Sequence, residues 1–302
     1  MAHTPMASVE FHQWAEDKKE HAQQLCRRAL DFADTMFQSG DLSPYVDILS
    51  RLHTYNFYNL LLILQQYPEA CCLATFQEWK KQASEPGSQI LRNNAIGKGI
   101  ELIAPFTEPP RSKKRALFWF GVKQFDISQT NLFYPCAKSI YETEARNMEH
   151  LERALCHILF TEYHCTVFNR SSEPAFSKSN SPGMRNDHDI FCNMNASPQD
   201  RIVWLTQILI ELSEPDHLVS PIYGALFSSL ALSCLLRIWN MAEFDYLDQN
   251  SELIRSVPKN MQSLILDQLQ VAVRRYAELI HCAYLEQINA GKIATLKHSH
   301  SE

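Results

Sequence analysis

Residues 100–126 read IELIAPFTEPPRSKKRALFWFGVKQFD. Ile100-Glu101-Leu102-Ile103-Ala104 alternates in the manner of a strand, and Ala116–Phe125 is rich in aromatic residues and valine. Between them Thr107–Arg115 is proline-rich and basic, the pattern of a loop. Two strands joined in this way predict an antiparallel pair. The chain on either side has helical periodicity, so the class is α+β and predominantly helical.

Upstream, Ser8–Ser39 predicts one amphipathic helix, with Trp14, Leu25, Ala29, Phe32 and Met36 at helical spacings and Gly40 as its stop. Ser43-Pro44 predicts an N-cap followed by a first-turn proline. Leu60–Gln66 is an apolar helix ended by Pro68, and Phe76–Ala83 a short one carrying Trp79. Downstream, Asp126–Pro135 is a turn and an exit. Ser139–Tyr163 is a helix, and Thr166–Phe168 and Ile190–Met194 are short strands around the polar loop Ser171–Asp189. Helices follow at 198–212, 221–241 and 260–290, the last with Leu266, Leu269, Val273, Tyr276, Ile280 and Tyr284 in one stripe. The expected organisation is two domains, 8–136 with helices packed on a small antiparallel sheet and 139–291 mostly helical. A disordered tail is expected at 292–302.

Composition narrows the function. A chain of 302 residues has room for two domains. It has only 8 glycines and no GxGxxG or GxxxxGK[ST] string, which sets aside the common nucleotide-binding loops. Nine cysteines without a CxxC pair, and no apolar run near Met1, read as free thiols in the cytoplasm. The longest apolar stretch, Ile222–Leu236, is too short for a bilayer, so no membrane partner is expected. Charge is uneven: Arg51–Lys123 holds 10 basic and 5 acidic residues, whereas Tyr141–Glu302 holds 13 basic and 20 acidic. The first region is suited to an anion.

That region also interleaves aromatics with the bases. Aromatic faces stack on unpaired nucleobases while ammonium and guanidinium groups neutralise phosphates, so the mixture suits single-stranded nucleic acid. The candidate contacts are Arg51, Tyr55, Tyr58, Asn59, Trp79, Lys80, Lys81, Arg92, Lys98, Lys123 and Gln129. Tyr55 and Tyr58, three apart, are expected on one helix face with Asn59 beside them. Gly97 and Gly99 would let a phosphate approach the backbone next to Lys98.

Metal chemistry is poorly provided for. HExxH, which sets two histidines one helical turn apart with a glutamate base, is absent, and the 12 histidines are scattered. A hydrolase would need an atypical site, drawing on His157, His164 or His188. A purely protein-binding module is the other alternative.

Four ordered segments carry a resemblance. Tyr55-Asn56-Phe57-Tyr58-Asn59-Leu60-Leu61-Leu62-Ile63 is followed by Gln65-Gln66-Tyr67-Pro68 and Ala74-Thr75-Phe76-Gln77-Glu78-Trp79. Then come Gly97-Lys98-Gly99-Ile100-Glu101-Leu102-Ile103-Ala104-Pro105 and Phe125-Asp126-Ile127-Ser128-Gln129-Thr130. Together they resemble the N-terminal domain of ArdC-type antirestriction proteins, and the Phe125–Thr130 segment also resembles one in the related LtrC-like proteins of plasmids and conjugative elements. The resemblance implies single-stranded DNA binding in an accessory protein of a mobile element. It also implies a C-terminal zinc-metallopeptidase-like domain. At the corresponding helix this chain has Gln207 for the first histidine, Ile208 for the catalytic glutamate and Glu211 for the second histidine. An amide and one carboxylate do not make a three-ligand zinc site. The expectation is therefore a pseudo-metallopeptidase without cofactor, its C-terminal domain kept for packing or a protein partner.

Overall fold

The computed structural model describes residues 8–83, 89–106, 118–132, 145–170, 181–213, 221–241 and 251–299. The expected 107–115 loop, the 116–117 start of the second strand, the 139–144 helix start, most of the 171–189 loop and residues 300–302 lie outside the described residues. The chain divides into two compact units, Met1–Ala137 with Ile254–Asp267, and Lys138–Leu253 with Gln268–Glu302. The fold is predominantly helical α+β.

In the first unit α1 (Ser8–Ser39), α2 (Ser43–Leu52) and α3 (Phe57–Gln66) lead into a sheet of β1 (Leu73–Thr75), β2 (Ile100–Phe106) and β3 (Phe118–Asp126). The order is β1-β3-β2, all antiparallel, with Ile100 opposite Gln124 and Phe106 opposite Phe118. Helix α4 (Phe76–Gln82) follows β1 directly. The alternation read at 100–126 therefore gives the hairpin expected of it, and β1, three residues long, was not legible. The helices bury Leu25, Ala29, Phe37, Val46, Leu49, Leu60 and Ile63, the larger side chains each contributing roughly 1.5–3 kcal/mol by removal from water. Helix α1 packs across β3 where Gly121 leaves room: a Cβ there would strike the His21 ring.

Two helix starts differ from expectation. Leu42, not Ser43, is the N-cap of α2, and the Asp41 carboxylate accepts the Ser43 N–H at 2.8 Å. Helix α3 begins at Phe57 with Asn56 as N-cap, its side chain accepting the Asn59 N–H at 2.9 Å. Tyr55 thus precedes the helix and shares no helix face with Tyr58.

The second unit contains α5 (Ala145–Tyr163), β4 (Thr166–Arg170), β5 (Gly183–Asn186), β6 (Asp189–Asn193), α6 (Pro198–Ser213) and α7 (Pro221–Ile238). Its sheet is mixed, order β4-β6-β5, with β4 parallel and β5 antiparallel to β6. Strand β5 was read as loop, because Gly183 and the polar Arg185 and Asn186 hide it. Gly183 is required by packing, since a Cβ would enter the Trp204 ring. Helix α8 (Ser251–Arg255) also went unread.

Helix α9 runs from Lys259 to Ser299, beyond the stop expected at Gly291. Its stripe of Leu266, Leu269, Val273, Tyr276, Ile280 and Tyr284 is buried as the spacing predicts. Its beginning belongs to the first unit, not to the second domain where the sequence reading placed it. Tyr45 Oη donates to the Leu266 carbonyl at 3.2 Å, and Lys259 Nζ lies 2.9 Å from Asp34. Among the described residues no helix is long and apolar enough to cross a membrane.

Candidate nucleic-acid interface

The four segments that drew attention in the sequence meet in one hydrogen-bonded frame. Strand β2 is an edge strand, and an edge leaves N–H and C=O groups unpaired. Helix α3 covers that edge with two carboxamides. Asn59 Nδ2 donates to the Ile103 carbonyl at 2.9 Å, and its Oδ1 accepts the Ile103 N–H at 2.8 Å. Two turns later Gln66 Nε2 donates to the Glu101 carbonyl at 3.0 Å, and its Oε1 accepts the Glu101 N–H at 3.0 Å. The next outward position on β2 is Pro105, which has no N–H to satisfy.

The end of β3 is fastened by Asp126, which is 1% exposed. Its carboxylate accepts the N–H groups of Cys71 (2.8 Å), Cys72 (3.0 Å) and Ser128 (3.0 Å) and the Ser128 hydroxyl (2.7 Å). Gln129 accepts the Asp126 N–H at 2.8 Å and donates to the Lys98 carbonyl at 3.1 Å. Trp79, 2% exposed, donates from Nε1 to the Phe125 carbonyl at 2.7 Å and packs with Ile90 and Phe125.

This corrects the expectation for several residues. Asn59, Trp79 and Gln129 are interior and have their polar atoms committed, so none presents a face or an amide to a base. Tyr55 Oη donates to Gln124 Oε1 at 2.8 Å and lies 3.3 Å from the Leu73 carbonyl. Burial, with Cys72 and Glu78 nearby, pushes its phenol up to about 12. Tyr58 is half-buried with its ring centroid 4.0 Å from that of Phe57, and burial raises its phenol. Arg51 is exposed, yet its guanidinium donates to the Ala70 carbonyl at 2.8 Å and the Pro68 carbonyl at 2.6 Å, closing the α3–β1 connection.

The remaining candidates are exposed cations around this frame. Lys80 and Lys81 stand on α4, above buried Trp79. Arg92 follows the Leu91–Thr130 bridge and donates from Nε to the Thr130 carbonyl at 2.8 Å. Lys98 sits in a turn where Gly97 has φ +81°, a conformation only glycine adopts without strain. Gly99 serves packing: a Cβ there would come within 3.0 Å of Lys123 Cβ and the Phe125 ring. Lys123 Nζ is 3.7 Å from Glu101. Lys80 and Lys98 have no ion pair among the described residues. These cations thus come from three separate segments, α4, 92–98 and β3.

Two of the aromatic residues interleaved with the bases, outside the candidate contacts, are exposed in this unit, Phe76 at 40% and Trp119 at 48%. A signal for Phe76 was available. Thr75-x-x-Glu78 is a capping box, with the Thr75 hydroxyl accepting the Glu78 N–H at 3.3 Å and Glu78 accepting the Thr75 N–H at 2.7 Å. It fixes residue 76 on the first turn of α4, three positions before the buried Trp79.

In the second unit the residues at the expected metal position do not fit zinc. Gln207 Nε2 donates to Glu211 Oε1 at 3.1 Å on the exposed face of α6, while Ile208 is buried at 3%. Arg185 lies 3.7 Å from Glu211 as a partly exposed ion-pair partner. His157 is 3.8 Å from Glu286, His188 is 3.9 Å from Asp187, and His164 occupies a left-handed position after α5 at φ 56°. Among the described residues no three His, Cys, Asp or Glu side chains converge as a metal site. The unit instead has a cavity of about 660 Å³ lined by Glu152, Cys156, Asn169, Met194 and Arg201, among others. Arg201 donates to Glu152 through Nε (2.6 Å) and Nη2 (2.9 Å) and to the Ala196 carbonyl (2.6 Å), bridging α5 and α6.

No family model matches this sequence, and no characterised protein matches it at the sequence level. Among solved structures the fold is similar to a crystal structure of the antirestriction ArdC protein from plasmid R388 in its Mn(II)-bound form. The TM-score is 0.48 and the identity 11%, over 85% of this chain and 97% of that one.

Proposed function

We propose that the first unit binds single-stranded DNA and that the chain is an accessory protein of a mobile genetic element, of the ArdC-like and LtrC-like kind. The observation that carries the reading is that Lys80, Lys81, Arg92, Lys98 and Lys123 are all exposed on segments tied into one hydrogen-bonded frame. The segments that resemble ArdC-type proteins build that frame, and its cations face solvent. In this reading the second unit is a pseudo-metallopeptidase whose α6 holds an amide, an isoleucine and a single ion-paired carboxylate where a zinc enzyme needs ligands and a base. It serves packing or a protein partner.

The test is a salt titration of binding to a labelled oligonucleotide. About four phosphate contacts on a single strand give a log–log slope near −3. Single strands should bind more tightly than duplex of the same sequence. A flat slope, or equal affinity for both, sinks the reading. Lys98→Ala should reduce the slope by a little under one unit. The same preparation should hold less than stoichiometric zinc and lose no stability to a chelator.

A further inference from the structure

The aromatic residues of residues 51–125 divide by burial, and the division names a stacking group. Trp79 and Phe125 are core, and Tyr55 is tied to Gln124. Phe76 is 40% exposed and has no ring contact among the described residues. A ring that leaves apolar surface in water has a use if it meets a flat apolar partner.

Its surroundings state which partner. Lys80 is one turn further along α4, on the same face as Phe76. Thr75 pairs with Gln124, so the chain leaves the sheet at residue 76 beside Lys123 on the neighbouring strand. Lys123 Cβ in turn abuts Gly99, which adjoins Lys98. The chain path thus leads from the ring to three lysines, Lys80 along α4, Lys123 on the neighbouring strand and Lys98 beyond it. Of the acids on these described segments, Glu101 is held by Lys123 and Glu78 is turned back onto the Thr75 N–H and hydroxyl. Burial opposes that carboxyl's ionisation less than the Thr75 bonds favour it, so it sits below its ordinary value. The strand neighbour of Trp119 is Pro105.

Resting on the DNA-binding reading above, we infer that Phe76 is the base-stacking residue of the surface, with Lys80, Lys98 and Lys123 holding the phosphates on either side of the stacked nucleotide. Stacking is indifferent to base identity, because every base has a π-face. The surface then binds single strands with little sequence preference. Duplex, whose bases are already stacked on one another, cannot use the ring.

The test uses the full chain and a fluorescent oligothymidylate, beside an oligomer of equal length with abasic sites. Phe76→Ala should weaken oligothymidylate binding about tenfold and leave the salt slope unchanged, since no phosphate contact is lost. Phe76→Trp should bind at least as well as the unchanged chain. On the abasic oligomer Phe76→Ala and the unchanged chain should bind alike. Full affinity in Phe76→Ala, or an equal loss on the abasic backbone, overturns the inference while leaving the salt-dependent reading intact. A lowered melting temperature in Phe76→Ala accompanying the lost affinity also overturns it, because the ring would then be a packing residue. Absence of any salt-dependent binding by the unchanged chain overturns the DNA-binding reading itself.

Discussion

Asn59 shows how a polar residue in a suggestive motif can be wholly structural. Its carboxamide mimics the edge of a neighbouring strand, matching one donor and one acceptor of Ile103. Asn59→Ala removes both partners and leaves a buried N–H and C=O unsatisfied. The loss should be about 2–3 kcal/mol, read by urea or thermal unfolding. The variant that remains folded should bind DNA with the salt slope of the unchanged chain. A change of slope at full stability would return Asn59 to the interface. Asp126 obeys the same rule with four donors, which is why its carboxylate can be buried beside uncharged partners. Neither role could be read from the sequence, because each needs a strand distant along the chain.

At the scale of elements, α5 and α6 are joined by the Arg201–Glu152 fork, with side chains only 8% and 13% exposed. A buried ion pair is weak evidence of net stability, but breaking one is costly because it strands a charge. Glu152→Ala should destabilise the second unit by about 3–5 kcal/mol. Arg201→Met together with Glu152→Leu should recover most of that loss. If the double variant is no better than Glu152→Ala alone, the geometry of the pair, not its charge balance, holds the helices. In the first unit the Lys259–Asp34 contact joins α9 to α1. Its hydrogen bond to Lys259 lowers the Asp34 carboxyl, and Lys259 is raised chiefly by the same bond. The contact therefore stabilises above the ordinary carboxylate range and fades as pH falls through the depressed Asp34 value. At the alkaline end it fades as pH rises through the raised Lys259 value.

At the scale of the whole molecule, cysteine reactivity maps burial across the chain. Cys156 is pushed up to about 12 and Cys192 to about 11, chiefly by burial, outweighing the opposing charge of Arg201. Both are protonated thiols at neutral pH and poor nucleophiles. Cys282, exposed on α9, is open to reagent. Maleimide at pH 8 should label Cys282 within minutes in the native protein. Cys156 and Cys192 should be labelled only after unfolding, as peptide mass spectrometry would show. Rapid native labelling of Cys192 would mean that β6 opens far more readily than its burial implies.

What the sequence determined alone was whatever depends on local pattern: the long helices, the β2–β3 hairpin from its alternation, the apolar stripe of α9, the basic excess before Lys123 and the lack of an HExxH helix. Such features repeat at periods of two or 3.6 residues, or reside in single residues, so no distant partner is needed to see them. Tertiary structure alone decided which aromatics are core and which are free. Trp79 and Phe76 lie three apart on one short helix, and only the packing of Ile90 and Phe125 against the former leaves the latter in water. It also decided that the motif residues Asn59, Gln66, Asp126 and Gln129 satisfy a strand edge and a strand end, and that 254–267 joins the first unit. Each of these is a long-range pairing, settled by where unpaired backbone groups and exposed apolar area find partners once the chain has collapsed.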